Sequence, residues 1–280
     1  MSERAGVAAS GLRSVTAAQW RVARVTPLGE FAQPARITGT AARLAAQVFL
    51  VVCLWRSLYS QVDTSAGLVR EQAVTYAVLA VLALQIRGLD RSASRDTMLQ
   101  HIQEGTVLYW FVRPLSPRRY YLVRAVGDQL YGFAWVAIGY TVCLICGAVE
   151  PPASGGAAAA FAVSMLLAQV IMYQLLLAVD LLCFWTLQNG AALTILRFLQ
   201  NLLSGVIAPL WFFPDWFLTM SSVLPFRYTL DVPLSLYIGR QPLGDAPRLL
   251  AIQVLWCVLL AGLTRLMWRK AARIVTVQGG

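Results

Sequence analysis

Charged residues are scarce in this chain, and lysine and histidine each occur only once. Of its 280 residues 13% are charged and 58% are hydrophobic, whereas soluble chains carry about a quarter charged residues. That balance excludes a water-soluble domain. A nucleotide-binding P-loop, G-x-x-x-x-G-K-[ST], is also excluded, because Lys270 is followed by Ala-Ala-Arg and the motif needs a lysine that reaches the terminal phosphates.

Other catalytic and ligand-binding signatures are equally sparse. His101 has no carboxylate or cysteine at metal-ligand spacing, and Glu104 is more simply its neighbour on a helix surface. No serine stands in a G-x-S-x-G elbow. The five cysteines fall within apolar runs, where a thiol acts mainly as a small apolar group. We therefore expect no catalytic residue, metal site or cofactor site in this chain.

Long apolar runs make up most of the sequence instead. A bilayer core of roughly 30 Å needs about 20 apolar residues per helix. The runs that reach or approach this length are residues 39–59, 71–87, 125–148, 157–187, 191–213 and 249–267. We therefore predict an all-α integral membrane protein with six transmembrane helices, of which the second is the shortest.

The basic residues indicate how these spans are oriented. With six spans both termini share a side, and most of the 23 lysine and arginine residues flank the spans on that side. Cytoplasmic loops carry the excess of basic residues, so both termini are predicted to be cytoplasmic. Because the positive charge clusters at span ends, it indicates contact with anionic lipid rather than with nucleic acid.

The flanks of the membrane domain divide the chain further. Residues 1–37 are predicted to form a cytoplasmic N-terminus. Within it, residues 12–31 alternate apolar side chains and arginines at helical spacing, which suits an interfacial helix on the inner membrane surface. The six-helix transmembrane domain then covers residues 38–268, and residues 269–280 form a cytoplasmic C-terminal tail.

The loop between spans two and three, residues 88–124, is too long and too patterned for a plain connector. Its polar residues recur at helical spacing and form one face, which can grip a groove on a partner. These residues are Thr97, Gln100, His101 and Glu104, followed by Gly105, which allows a bend. We predict a helix over residues 96–109 that binds a cytoplasmic protein. An ordinary solvated helix face is the alternative.

Asp180 and Arg197 are predicted to lie inside spans four and five. A short turn at residues 188–190 joins these spans, and at 1.5 Å per residue both side chains sit about 12 to 13 Å from it. An isolated charge at that depth is costly, whereas a pair within a bundle largely cancels the cost. We predict an intramembrane ion pair that acts as a structural clasp. A substrate contact or a gating pair is the alternative.

Residues 212–240, after the fifth span, are rich in aromatic residues and proline. The segment is too broken to cross the bilayer and too apolar for a simple outer loop. Non-helical backbone at membrane depth persists only when it is buried in protein. We predict an outer re-entrant hairpin of two short helices, which includes Phe213 and Trp216 and is broken at Pro214 and Pro225.

From about residue 40 onward the chain resembles the permease subunits of ABC exporters of the ABC-2 type, in their bacterial six-span branch. The likeness rests on LWRSLYS at the end of the first span, on HIQEGTVLYWFVRPLSPRRYYLVRAVGDQL in the loop and on FFPDWFLTMSSVLPFRYTLDVPLSLYIG after the fifth span. It implies a multi-pass protein of the bacterial cytoplasmic (inner) membrane. Export of a drug-like, lipid-like or peptide compound, as in multidrug or natural-product efflux, is the family expectation.

The resemblance also implies partners. Separate ATPase subunits, which bind ATP and Mg²⁺, would dock on the loop helix, which is then the coupling helix. A second permease subunit, identical or homologous, would complete the export path. Spans two and five would line that path, and the candidate residues are Thr75, Tyr76, Phe198, Gln200, Asn201 and Trp211.

A secondary, proton-coupled transporter or a non-transporting membrane scaffold is the competing interpretation. Proton coupling uses an acidic residue that lacks a fixed basic partner near mid-membrane. Asp180 is expected to be paired with Arg197, so the sequence favours ATP-driven export.

Overall fold

The computed structural model describes residues 32–60, 64–65, 68–86, 98–104 and 117–278. The fold is all-α, as predicted, apart from a small ribbon in which β1 and β2 pair antiparallel. The predicted interfacial helix lies outside the described residues. In chain order the elements are α1 (Pro34–Leu58), β1 (Thr64–Ser65), β2 (Leu68–Val69), α2 (Arg70–Ala83), α3 (Met98–Gln103), α4 (Pro117–Ile145), α5 (Gly155–Leu181), α6 (Cys183–Thr186), α7 (Gly190–Leu203), α8 (Asp215–Val223), α9 (Asp231–Tyr237) and α10 (Ala246–Gln278).

Four helical segments of the described chain are long and apolar enough to cross a membrane. They are Pro34–Leu58, Arg118–Ile145, Gly155–Thr186 and Leu243–Arg273, and they correspond to predicted spans one, three, four and six. Predicted spans two and five coincide with α2 and α7, which have 14 residues each and are shorter than the about 20 residues that a bilayer needs. The chain is a multi-pass membrane protein, and the full set of six spans stays a prediction.

α4 and α10 extend furthest beyond their predicted ends. The described part of α4 already includes Pro117, inside the predicted loop. α10 continues through the predicted C-terminal tail to Gln278. Ala271 and Ala272 favour this continuation, since alanine is the best helix former, and Ala271 is fully buried.

α5 packs mainly against α10 and α9, and it also contacts α7. Buried amides join α5 to α10. Gln253 Nε2 donates to the carbonyl oxygens of Ser164 at 3.1 Å and Tyr228 at 2.8 Å, and Gln174 Nε2 donates to the carbonyl of Cys257 at 3.0 Å. Because buried polar groups need partners, these bonds fix the register of the two helices.

α2 is enclosed over most of its length. Every residue from Ala73 to Ala80 is buried, and the helix packs against α1, α4 and α9. A helix that is apolar all round is expected to be surrounded by other elements. Its few polar side chains therefore have to find partners within the protein, and they form part of the site described next.

Candidate functional site

A buried carboxylate, Asp231, joins α2 to the segment that follows α7. Tyr76 Oη donates to Asp231 Oδ1 at 3.0 Å, and Arg227 Nε donates to Oδ2, also at 3.0 Å. Asp231 is only 3% exposed, so an unpaired charge here would cost several kcal/mol. The three side chains are called the Asp231 network below.

Aromatic and cationic groups surround this network. The ring of Trp211 lies edge-to-face with that of Tyr76, with centroids 4.6 Å apart. The guanidinium carbon of Arg240 lies 4.6 Å from the Trp211 centroid, within the range of a cation–π contact. Gly205 has a φ of +82°, and a Cβ there would come 2.5 Å from Tyr76 Oη. Only glycine fits this position, because its φ is positive and its neighbour is so close.

α2 makes two further polar contacts on the face that carries Tyr76. Gln72 Nε2 donates to the carbonyl of Ile238 at 3.2 Å. Thr75 Oγ1 accepts from the N–H of Glu150 at 3.0 Å. Residues at i, i+3 and i+4 lie side by side on a helix, so one face of α2 is bonded to both the α4–α5 turn and the α9 region.

The predicted path residues do not form a single group. Tyr76 and Trp211 meet at the Asp231 network, whereas Thr75 is bonded to Glu150. Gln200 is fully buried, and its amide donates to the hydroxyl of Thr229. Phe198 is 62% exposed on α7, and Asn201 is half-buried. Their contact with a transported compound stays a prediction.

The predicted hairpin segment does contain two short helices, α8 and α9. Pro214 directly precedes α8, and Pro225 follows its end by two residues. Phe213 stacks on Phe217 with centroids 4.4 Å apart, whereas Trp216 is 67% exposed. The prolines therefore break the helices where the sequence indicates, and the re-entrant placement in a membrane stays a prediction.

The second candidate site is the described part of the predicted coupling helix, α3. Met98, its first described residue, is fully buried in an apolar cluster with residues of α5, α6 and α10. Because these contacts are apolar, burial of Met98 fixes α3 to the bundle through its hydrophobic side. The group of residues called the Met98 cluster below consists of Met98, Leu177, Leu181, Phe184 and Ala271.

The opposite side of α3 is polar. Gln100 and Glu104 are exposed, and Gln100 Nε2 donates to Glu104 Oε1 at 2.9 Å. His101 is half-buried. The predicted residues Thr97 and Gly105 lie outside the described residues. An amide and a carboxylate are thus presented away from the bundle, on the face expected to contact a partner.

Asp180 lies near the end of α5 that carries the Met98 cluster. Asn189 Nδ2 donates to Asp180 Oδ1 at 3.4 Å, across a tight turn in which Leu187 adopts a φ of +54°. The pairing of Asp180 with Arg197, which is half-buried on α7, stays a prediction. In the described ranges no set of three or more His, Cys, Asp and Glu side chains is placed to hold a metal ion.

The Asp231 network was not anticipated from the sequence. Its local half could have been found, because Arg227 and Asp231 stand four residues apart, the spacing of a helical ion pair. The other half joins Asp231 to Tyr76, 155 positions away. No local pattern indicates such a contact, and Gly205 also acquires its role only from it.

Comparison with known proteins gives one clear match. A protein-family model described as "ABC-2 family transporter protein" matches residues 45–279, which include both the Asp231 network and the Met98 cluster. No curated protein and no solved structure matched the chain. The match covers most of the sequence, and it agrees with the resemblance that the loop and hairpin motifs carry.

Proposed function

The chain belongs to the ABC-2 family of transporter proteins, and we propose that it is the membrane-spanning permease subunit of an ATP-driven exporter. Members of this family are membrane transport components rather than enzymes. The work must then come from a ligand-driven change in another subunit, because a ligand shifts an equilibrium only through its difference in affinity for the two states. Separate ATPase subunits, which bind ATP and Mg²⁺, are the partners in this proposal.

The packing of α3 is the observation that carries the proposal. α3 contacts α5 and α6, and Met98 belongs to the same apolar cluster as Ala271 of α10. Its polar side is exposed at Gln100 and Glu104. A partner that binds this polar side would push on three helices at once, which is what transmission of an ATPase movement requires.

The charge around the Met98 cluster supports a cytoplasmic position for α3. Ala271 is flanked by Arg269, Lys270 and Arg273. Basic residues close to the ends of spans are enriched on the cytoplasmic side. In the proposed orientation the ATPase docks there, and both termini face the cytoplasm of a bacterial cell.

The Asp231 network lies at the opposite end of α10. Ala246, at the start of α10, packs in one cluster with Val232 and Leu236 of α9. It is separated from Ala271 by 25 residues, which at 1.5 Å per residue is roughly 37 Å. The proposed export path runs between these ends and is completed by a second permease subunit, identical or homologous. Ile195 and Phe198, exposed on α7, offer an apolar surface for that subunit or for lipid.

Copurification of the permease with its ATPase tests this function. The ATPase to use is one encoded beside this chain's gene. We expect His101→Ala and Glu104→Ala to reduce both copurification and ATP hydrolysis by the complex, because they remove side chains from the docking face. Asp245→Ala, an exposed acidic residue before α10, is the matched control and should change neither. Unchanged values for both α3 variants would refute the assignment of this face.

A further inference from the structure

A cavity of about 260 Å³ lies between the end of α1, the start of α2 and the turn that follows α4. Small-molecule sites usually have volumes of roughly 300–1,000 Å³, so this cavity suits a ligand smaller than a drug. Four of the residues that line it are charged: Arg56, Arg70, Glu71 and Glu150. Among the described lining residues, the two positive and two negative side chains balance.

The four charges are not equivalent. Arg70 and Glu71 form an ion pair with a nitrogen–oxygen distance of 3.0 Å, and each satisfies the other. Within the part of the chain that the structure describes, neither the Arg56 guanidinium nor the Glu150 carboxylate has a hydrogen-bond or ion-pair partner. Among the described residues, the cavity therefore has one cation, Arg56, and one anion, Glu150, that are not already paired.

The backbone that carries Glu150 is held in place. Its N–H donates to Thr75 Oγ1 at 3.0 Å, and its carbonyl accepts from Tyr237 Oη at 2.9 Å. Tyr140 Oη lies a further 2.7 Å from Tyr237 Oη. Because α2, α4 and α9 all contribute to these bonds, the Glu150 side chain starts from a fixed position beside the cavity, as a binding site requires.

An apolar surface leads along α1 to Arg56. Phe49 and Val52 precede Arg56 by seven and four residues and so share its side of the helix. Phe49 is 66% exposed and Val52 is half-buried. Arg56 itself stands two residues before the end of this spanning helix at Leu58, and basic side chains near the ends of spanning helices extend to the lipid headgroups.

We propose that this cavity binds a zwitterionic headgroup that carries a phosphate and a primary ammonium, as in phosphatidylethanolamine. The phosphate binds Arg56, because guanidinium groups match phosphate oxygens. The ammonium donates to the Glu150 carboxylate, and an acyl chain lies along Phe49 and Val52. The neutral lining favours such a ligand over one with a net negative charge. The site does not depend on an ATPase partner.

A titration of the purified, delipidated full chain in detergent tests the proposal. Short-chain phosphatidylethanolamine and phosphatidylglycerol are the probes, and tryptophan fluorescence or native mass spectrometry reports binding. We expect phosphatidylethanolamine to bind more tightly. Arg56→Gln and Glu150→Gln should each weaken its binding about tenfold, since each removes a hydrogen bond to a charged group. Arg248→Gln and Asp245→Asn, exposed residues near the start of α10, should leave binding unchanged.

Equal binding of phosphatidylglycerol would overturn the proposal, because that headgroup has no ammonium. Free phosphoethanolamine distinguishes the source of the ligand: if it competes as strongly as the lipid, the acyl contact is wrong and the ligand is soluble. If a variant fails to fold, the binding of phosphatidylcholine to the unmodified chain is measured instead. Methylation removes every N–H donor to Glu150, so tight binding of phosphatidylcholine would contradict the assignment.

Discussion

The two regions of the bundle near the ends of α10 are held by different kinds of contact. In the region near Ala246, apolar packing is joined by directional bonds between α2 and α9, in which the buried Asp231 carboxylate is held by Tyr76 and Arg227. Near Ala271 it is joined by the apolar Met98 cluster. Hydrogen bonds weaken steeply when distance or angle changes, whereas apolar contact has no preferred direction. The first end is thus fixed in one geometry, and the second can shift without losing its contacts.

This difference fits the proposed function. A transporter that is driven by a partner needs one region that receives the partner's movement and another region that stays fixed while the first one moves. In the proposed arrangement the Met98 cluster receives the movement, and the Asp231 network holds α2 and α9 together. Substitutions in each region either disrupt its contacts or test how far the two regions differ.

Loss of Arg227 should have the largest effect. Arg227→Ala leaves the Asp231 carboxylate buried without its cation, and removal of one partner of a buried ion pair costs about 3–5 kcal/mol. We expect the free energy of unfolding of the purified chain in detergent to fall by that amount. Tyr76→Phe is the milder companion, with a loss of about 1–2 kcal/mol, because Asp231 then keeps its arginine.

Denaturant titration of the three proteins measures these differences. Arg248→Ala removes an exposed arginine elsewhere and serves as the control. If Arg227→Ala were no more destabilising than Arg248→Ala, the Asp231 network would not be the fixed end, and the contrast between the two regions would fail.

Truncation of Met98 should have an intermediate effect on stability and a large one on coupling. Met98→Ala removes a fully buried side chain, and such changes cost about 2 kcal/mol or more. Since α3 is attached through this residue, we expect transport per ATP hydrolysed to fall while the ATPase still copurifies. Gln103→Ala, an exposed position on α3, is the control. Unaltered coupling in Met98→Ala would show that α3 does not transmit movement through this cluster.

Neutralisation of Asp180 should have the smallest effect. Asp180→Asn keeps an oxygen that can accept from Asn189 Nδ2, so we expect a stability change below about 1 kcal/mol. Transport by the assembled complex should continue. Loss of transport in an Asp180→Asn complex that assembles normally would favour a gating pair or a proton-coupled transporter.

Local patterns predicted part of this fold. Long apolar runs located the four helices of spanning length, and Pro214 and Pro225 marked the breaks around α8. The predicted ends of the helices were less accurate. Hydropathy does not detect a helix that continues beyond its apolar run, as α10 does to Gln278. Predicted spans two and five are longer than α2 and α7, since an apolar run does not reveal where the backbone leaves helical geometry.

The candidate sites were predicted unevenly for a related reason. The polar face of α3 was visible because its residues are close in sequence. The Asp231 network was not, because Tyr76 and Asp231 meet only after α2 and α9 pack together. Met98 and Ala271 likewise meet only in the folded chain, although each looks like an ordinary apolar residue.

Site-specific crosslinking from α3 tests the central claim most directly. A photoreactive residue at Gln100, exposed on the polar side of α3, is activated in cells that express the complete transporter, and Leu54, 55% exposed on α1, carries the same group as a control. We predict that position 100 crosslinks to the ATPase subunit and that position 54 does not. Absence of the ATPase from the products at position 100, in complexes that assemble normally, would contradict the account.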